Sequence, residues 1–149
     1  MKKLVVAALL GASMVAALPT QARSTKHLLP INEGMATKDA QERLEGKVKF
    51  YFGNQSHPKV LQKLGSDFTN RKTNAFGKSD EKACNWAFLS ALVQLEKRAI
   101  ELGANAVVNV VSYYKKDEFS SPTEFECHAG GLMAGVALKG DFVKIADDK

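Results

Sequence analysis

Ser79 to Val110 reads SDEKACNWAFLSALVQLEKRAIELGANAVVNV, and this stretch decides the fold class. Ser79 is a good N-cap, and Asp80 and Glu81 complement the positive end of a helix dipole. Lys97 and Arg98 lie near the other end, and Gly103 supplies the residue that stops the helix. The spacing therefore predicts a helix over 80–102. One apolar stripe runs through Cys84, Ala87, Phe88, Ala91, Leu95, Ala99 and Leu102, in steps of three and four that keep one face toward a core. A second stripe holds Trp86, Leu89, Val93 and Ile100. The two together are wide for a helix lying on one sheet, so either the N-terminal segment or a partner subunit covers the second. Ala106 to Tyr114 follows at once, β-branched and aromatic, and reads as a central strand.

Outward from this unit the signals are shorter. Upstream, Lys47–Phe52 alternates, with Val48, Phe50 and Phe52 on one face, as a half-buried strand does. Thr37–Leu44 is a short helix with Thr37 as its cap and Gly46 beyond its end. Arg23–Ala36 has no clear period and reads as an extended arm. Gly53–Pro58 is a turn cluster. Val60–Thr73 has strand-like pieces broken by Gly65 and Asn70, one strand or two. Downstream, Lys115–Pro122 is a polar connection, and Thr123–Cys127 starts a return strand. Gly130-Gly131 marks a bulge or bend, and Leu132–Leu138 and Phe142–Ile145 continue the strand around Gly140. The order implies an α+β domain, a mainly antiparallel sheet with one long helix packed across it.

The chain has 149 residues, 45% of them apolar and 25% charged, which suits a single globular domain. Residues 1–22 stand apart. A basic start (Lys2, Lys3), an uncharged apolar run from Leu4 to Leu18, and a Pro19–Ala22 tail form the pattern of a secretory signal, cleaved after Ala22. The run would span about 22 Å as a helix, short of the roughly 30 Å hydrocarbon core. The expected organisation is a signal peptide over 1–22, an arm over 23–36 and one domain over 37–149, with no transmembrane anchor after cleavage. Loss of Lys2 and Lys3 reduces the net charge from +5 to about +3. That mild, interleaved charge, without aromatics spaced as a stacking platform, argues against a nucleic-acid partner.

Two cysteines are too few for a disulfide-dense miniprotein or a four-thiolate zinc site. In an exported chain Cys84 and Cys127 read as a disulfide joining the helix start to the hairpin. There is no C-x-x-C pair for redox chemistry. The competing reading is a metal site from Cys127 and His128, with His57 and Cys84 as further ligands. It requires the chain to bulge, because adjacent strand residues point to opposite faces. Gly77-Lys78-Ser79 resembles the tail of a phosphate loop, but Lys72 stands where that loop needs glycine. No complete hydrolase, zinc-protease or calcium-loop motif is present in the sequence.

Arg98–Val110 (RAIELGANAVVNV), a helix running straight into a strand, and the later A-G-V-A-L-K-G strand (Ala134–Gly140) resemble the YbjQ-like α+β family and its relative, the outer-membrane Rcs stress-sensor lipoprotein. The likeness spans about Ser79 to Ile145. It implies a small sheet with a long helix, ring-forming oligomers among YbjQ-like members, and envelope-sensor kinship with a disulfide joining the helix start to the hairpin. The segments KVKFYFG (Lys47–Gly53) and NRKT (Asn70–Thr73) resemble small exported bacterial proteins often labelled excinuclease ATPase subunits. The incomplete phosphate loop here does not carry that activity. The expectation is therefore a periplasmic or secreted bacterial protein, not an enzyme and without a cofactor. It would be a disulfide-stabilised binding or sensor-like module, partnered by an envelope protein or by itself. The candidate surface is Trp86, Leu89 and Val93 on the second helix stripe, or a basic rim of Arg71 and Lys72. The alternative is a metal- or small-ligand-binding protein using Cys127 and His128.

Overall fold

A computed structural model of the chain describes residues 23–147, so the signal sequence expected over 1–22 lies outside the described residues. The elements are β1 (Thr25–Pro30), α1 (Ile31–Met35), α2 (Lys38–Arg43), β2 (Lys49–Phe52), β3 (Val60–Asn74), α3 (Asp80–Leu102), β4 (Ala106–Ser112), β5 (Glu124–Ala129) and β6 (Met133–Ile145). A single 3-10 turn, Tyr114–Lys116, follows β4.

The long helix has the limits its caps dictate. Ser79 Oγ accepts the Lys82 N–H at 3.1 Å, and Gly103 closes the helix in the left-handed region at φ 76°. That conformation costs glycine little and other residues more. Thr37 caps α2 in the same way, accepting the Ala40 N–H at 3.1 Å.

The sheet is built around β6. Along one side β6 pairs with β3 over almost its full length, from Met133↔Asn74 to Ile145↔Val60. On its other side it meets β5 at its start and β4 toward its end. Outside these lie β1, antiparallel to β5, and β2, parallel to β4. The sheet is thus mixed, because β4 reaches its place parallel to β2 only after β3 and α3 have intervened. Val60–Asn74 forms one strand that carries its Gly65 irregularity as a register shift against β6. Gly130-Gly131 is the turn between β5 and β6, where the Gly130 N–H donates to the Met133 carbonyl at 2.8 Å. The segment expected as an extended arm instead forms β1 and α1, held by pairing with β5 and by the Ile31 N–H donating to the Thr123 carbonyl.

The core fills the space between the sheet and α3. Cys84, Ala87, Phe88, Ala91, Leu92, Leu95 and Ala99 of the helix meet Val136, Leu138 and Phe142 of β6, with Phe125 stacked on Phe88 at 4.0 Å between centroids. The first predicted stripe is therefore the buried face. A register shift in β4, with Asn109 at φ 50°, lets Val107 and Val110 both join this core. Gly140 allows the closest approach, since a Cβ there would stand 2.5 Å from Val107 Cγ1. A smaller apolar cluster (Ala106, Val108, Val143, Ile145) lies apart from the main core, with Tyr51 and Val60 against it.

Candidate binding clefts at the helix start

Cys84 and Cys127 are both fully buried and joined as a disulfide, with Cα atoms 5.8 Å apart. The bond ties the start of α3 to β5. Strand alternation turns the next residue, His128, to the opposite face of the sheet. There its ring lies on Tyr114, with centroids 3.5 Å apart and planes 11° from parallel. Tyr114 is presented by the turn that follows β4, where Lys115 and Lys116 take positive φ values of 51° and 66°. Glu126, also on this face, is buried. Its Oε1 lies 3.1 Å from Lys26 Nζ, and its Oε2 lies 3.2 Å from His128 Nε2, an ion-pair distance without hydrogen-bond alignment. The Glu126 N–H donates to Ser112 Oγ at 2.9 Å.

Tyr114 and His128 border a cleft of about 520 Å³, lined also by Lys72 and residues Gly130 to Gly135, with Arg23 and Ser24 at its edge. Its volume falls in the usual range of ligand sites, roughly 300–1,000 Å³. Leu132 (67% exposed) and Met133 (48%) project from that turn, and Phe76 (73%) lies at the adjoining end of β3. The cleft is thus basic and partly apolar, with a rim of exposed large hydrophobic side chains.

A second cleft, about 370 Å³, opens between the α2 region and the first turns of α3. Trp86 forms part of its wall at 39% exposure, with the Arg43 guanidinium 4.5 Å from the indole centroid. Such a cation–π contact is worth roughly 0.5–1 kcal/mol at an exposed site.

The residues expected to form one surface are divided. Trp86 is half-exposed and Val93 half-buried, while Leu89, 1% exposed, lines the same cleft as Trp86. Helices α1 and α2 lie against α3, so much of the second stripe is covered within the chain. Arg71 and Lys72 do not form one rim either, because neighbours on β3 point to opposite faces. Arg71 reaches the helix, where its Nη2 donates to Gln94 Oε1 at 2.5 Å, whereas Lys72 lines the large cleft. The metal reading of Cys127 with His128 loses its thiolate, since Cys127 is in the disulfide and His128 points away from it. No group of three or more His, Cys, Asp or Glu among the described residues could hold a metal ion. His57 sits in an exposed turn with its ring edge on Tyr51.

His27 has a structural partner. Asp80, the first residue of α3, receives Arg23 Nη1 at 2.8 Å and Nη2 at 3.0 Å, and its Oδ2 lies 2.8 Å from His27 Nε2. The Arg23 hydrogen bonds, followed by that of His27, hold the Asp80 carboxyl well below the ordinary carboxylate range. Gly77 to Ser79 forms a turn and the helix cap, with Gly77 at φ 70°.

Sequence reasoning passed over Tyr114, Glu126 and Lys26. The alternation Glu124, Glu126, His128 could have placed Glu126 and His128 on one strand face. Nothing local pairs Tyr114 with His128, because a 3-10 turn and a β-strand bring them together. No protein-family model matches the chain, nor does any curated protein or solved structure.

Proposed function

We propose that the chain is a non-catalytic binding or sensor-like module of the bacterial envelope, working in the periplasm or secreted. Its recognition site in this reading is the Lys72–Tyr114–His128 cleft. The observation that carries the reading is a cleft built on the strand β5 that a fully buried disulfide anchors from its other face. A disulfide suits an oxidising compartment, and the leader pattern of residues 1–22 points the same way. No helix among the described residues is long and apolar enough to cross a membrane.

The cleft suits a partner segment with an acidic group for Lys72 and an apolar side chain for Leu132 and Met133. Its walls are fixed before binding by the disulfide and by the Tyr114–His128 stack, which lowers the ordering cost of association. The partner is an envelope protein or a second copy of the chain. Kinship with the YbjQ-like family and the Rcs stress sensor belongs to this reading, supported by α3 running through Gly103-Ala104-Asn105 directly into β4. The competing surface is the cleft at Trp86, whose indole is half-exposed.

Capture of cross-linked partners by the exported chain tests the proposal. Lys72→Glu should abolish capture and Trp86→Ala should leave it intact. The reverse result would move recognition to the Trp86 cleft. Loss with neither variant would refute both surfaces.

A further inference from the structure

Strand β3 runs for 15 residues at a border of the sheet. β6 lies along one side of it, and no strand among the described residues lies along the other. Strands average about five or six residues, and long bare edges are usually shortened, bulged or covered. Here Ser66, Asp67, Phe68, Asn70, Arg71 and Lys72 are all exposed. One contact fixes the direction of the main chain. The Phe68 N–H donates to the carboxylate of its neighbour Asp67 at 2.8 Å, so it faces away from β6. The register against β6 is regular from Gly65 to Asn74. Antiparallel alternation therefore turns the N–H and C=O groups of Ser66, Asn70 and Lys72 outward as well.

We propose that a second copy of the chain pairs with this edge, antiparallel, with Thr69 on the two-fold axis. The charge pattern selects both the occupant and the register. A two-fold at Thr69 sets Phe68 opposite Asn70 and Ser66 opposite Lys72 as hydrogen-bonded pairs. It sets Asp67 opposite Arg71 twice, in the non-hydrogen-bonded pairs whose side chains come closest. An axis at Asp67 or at Arg71 would face like charges, and one at Phe68 or Asn70 leaves Asp67 and Arg71 without charged partners across the axis. Gln94 takes one of the five guanidinium N–H donors of Arg71, and a carboxylate can take others. The neighbouring charges do not oppose the pairing. Lys63 lies beyond Gly65, outside the paired span, and 3.5 Å from Asp141. On the helix flank nearest β3, in line with Gln94 and Leu102, Arg98 is paired with Glu101 at 3.3 Å. The contact is isologous, so it closes at a dimer and uses both β3 edges. It is separate from the partner cleft, because Lys72 gives that cleft its side chain and gives the pairing only its main chain.

Sedimentation equilibrium of the intact, disulfide-bonded chain should show a monomer–dimer equilibrium with a dissociation constant of about 100 μM or tighter. Asp67→Arg and Arg71→Asp each set like charges opposite one another twice, and each should weaken the dimer by about tenfold or more. The double variant Asp67→Arg, Arg71→Asp restores both opposite-charge pairs and should return the constant to within about threefold of the native value. Hydrogen exchange on the unaltered chain gives a reading that needs no variant. Exchange of the Asn70 amide should slow as the concentration rises through the dissociation constant. A chain that stays monomeric up to about 1 mM would overturn the interface. So would a dimer in which Asn70 exchange ignores concentration, or one that the folded double variant does not re-form.

Discussion

The His128 ring lies flat on Tyr114, 3.5 Å between centroids, on the face of β5 opposite the Cys84–Cys127 bond. This stack builds one wall of the large cleft from a side chain that the chain itself immobilises. Tyr114→Leu should release the imidazole and cost about 1 kcal/mol of stability. It should also move the His128 ring-proton resonances downfield, because the Tyr114 ring no longer shields them. Unchanged His128 resonances would mean that the two rings are not stacked in solution.

The disulfide closes a loop with a sequence separation of 43 residues and joins the two layers of the fold. By the chain-entropy relation such a link adds roughly 4 kcal/mol, an upper figure because native strain subtracts from it. The Cys84→Ala, Cys127→Ala double variant should unfold at clearly lower urea concentration than the oxidised chain. The oxidised chain treated with reductant should approach the variant. Coincident urea curves with and without reductant would contradict a structural role for the bond.

Asp80 carries the pH dependence that can be assigned. Its carboxyl is depressed in the folded chain, first by the Arg23 hydrogen bonds and then by that of His27. A depressed acid contributes stability above its unfolded pKa, near 3.9, and that contribution is lost as the pH falls from there through the folded value. Asp80→Asn should therefore be less stable than the native chain at neutral pH, and the gap should narrow as the pH falls from about 5 to about 2. Urea midpoints across that range measure it, and a gap independent of pH would contradict the assignment.

Gly140 lets β6 approach β4 closely, and an added Cβ would stand 2.5 Å from Val107 Cγ1. Val107 is fully buried, with Phe142 of β6 in the same core. Gly140→Ala should cost about 1–3 kcal/mol by overpacking. The complementary Val107→Ala change should restore part of it if the clash is local. A thermal melt of the three variants decides this, and a neutral Gly140→Ala would mean that the strands relax freely.

What could be read from the sequence divides by range. Helix α3 was legible because Ser79 and Gly103 are local signals and its apolar spacing is periodic over six turns. The disulfide was legible because the secretory-leader pattern and the cysteine number leave few alternatives. Strand β3 was not resolved from the sequence, since Gly65 and Asn70 interrupt any local pattern and only its pairing with β6 makes it one strand. Segments β1 and α1 were hidden for the same reason, as β1 exists by pairing with β5. The parallel partnership of β2 with β4 joins residues nearly sixty positions apart and leaves no local trace. Lys72 and Trp86, singled out in the sequence, each line a cleft. Leu89 lines the Trp86 cleft but is almost fully buried, since a half-apolar helix does not reveal how far the N-terminal helices cover each stripe.

The central claim is that recognition occurs at the disulfide end of the sheet. Its most direct test is site-specific photo-crosslinking in the cell envelope, with the crosslinker at Leu132 or at Leu61. These positions are 67% and 64% exposed but lie at opposite ends of the β3–β6 pair, roughly 40 Å apart by strand rise. A discrete adduct from position 132 that disappears with Lys72→Glu, and none from position 61, is the predicted result. An adduct from position 61 alone, or none from position 132, would contradict the account.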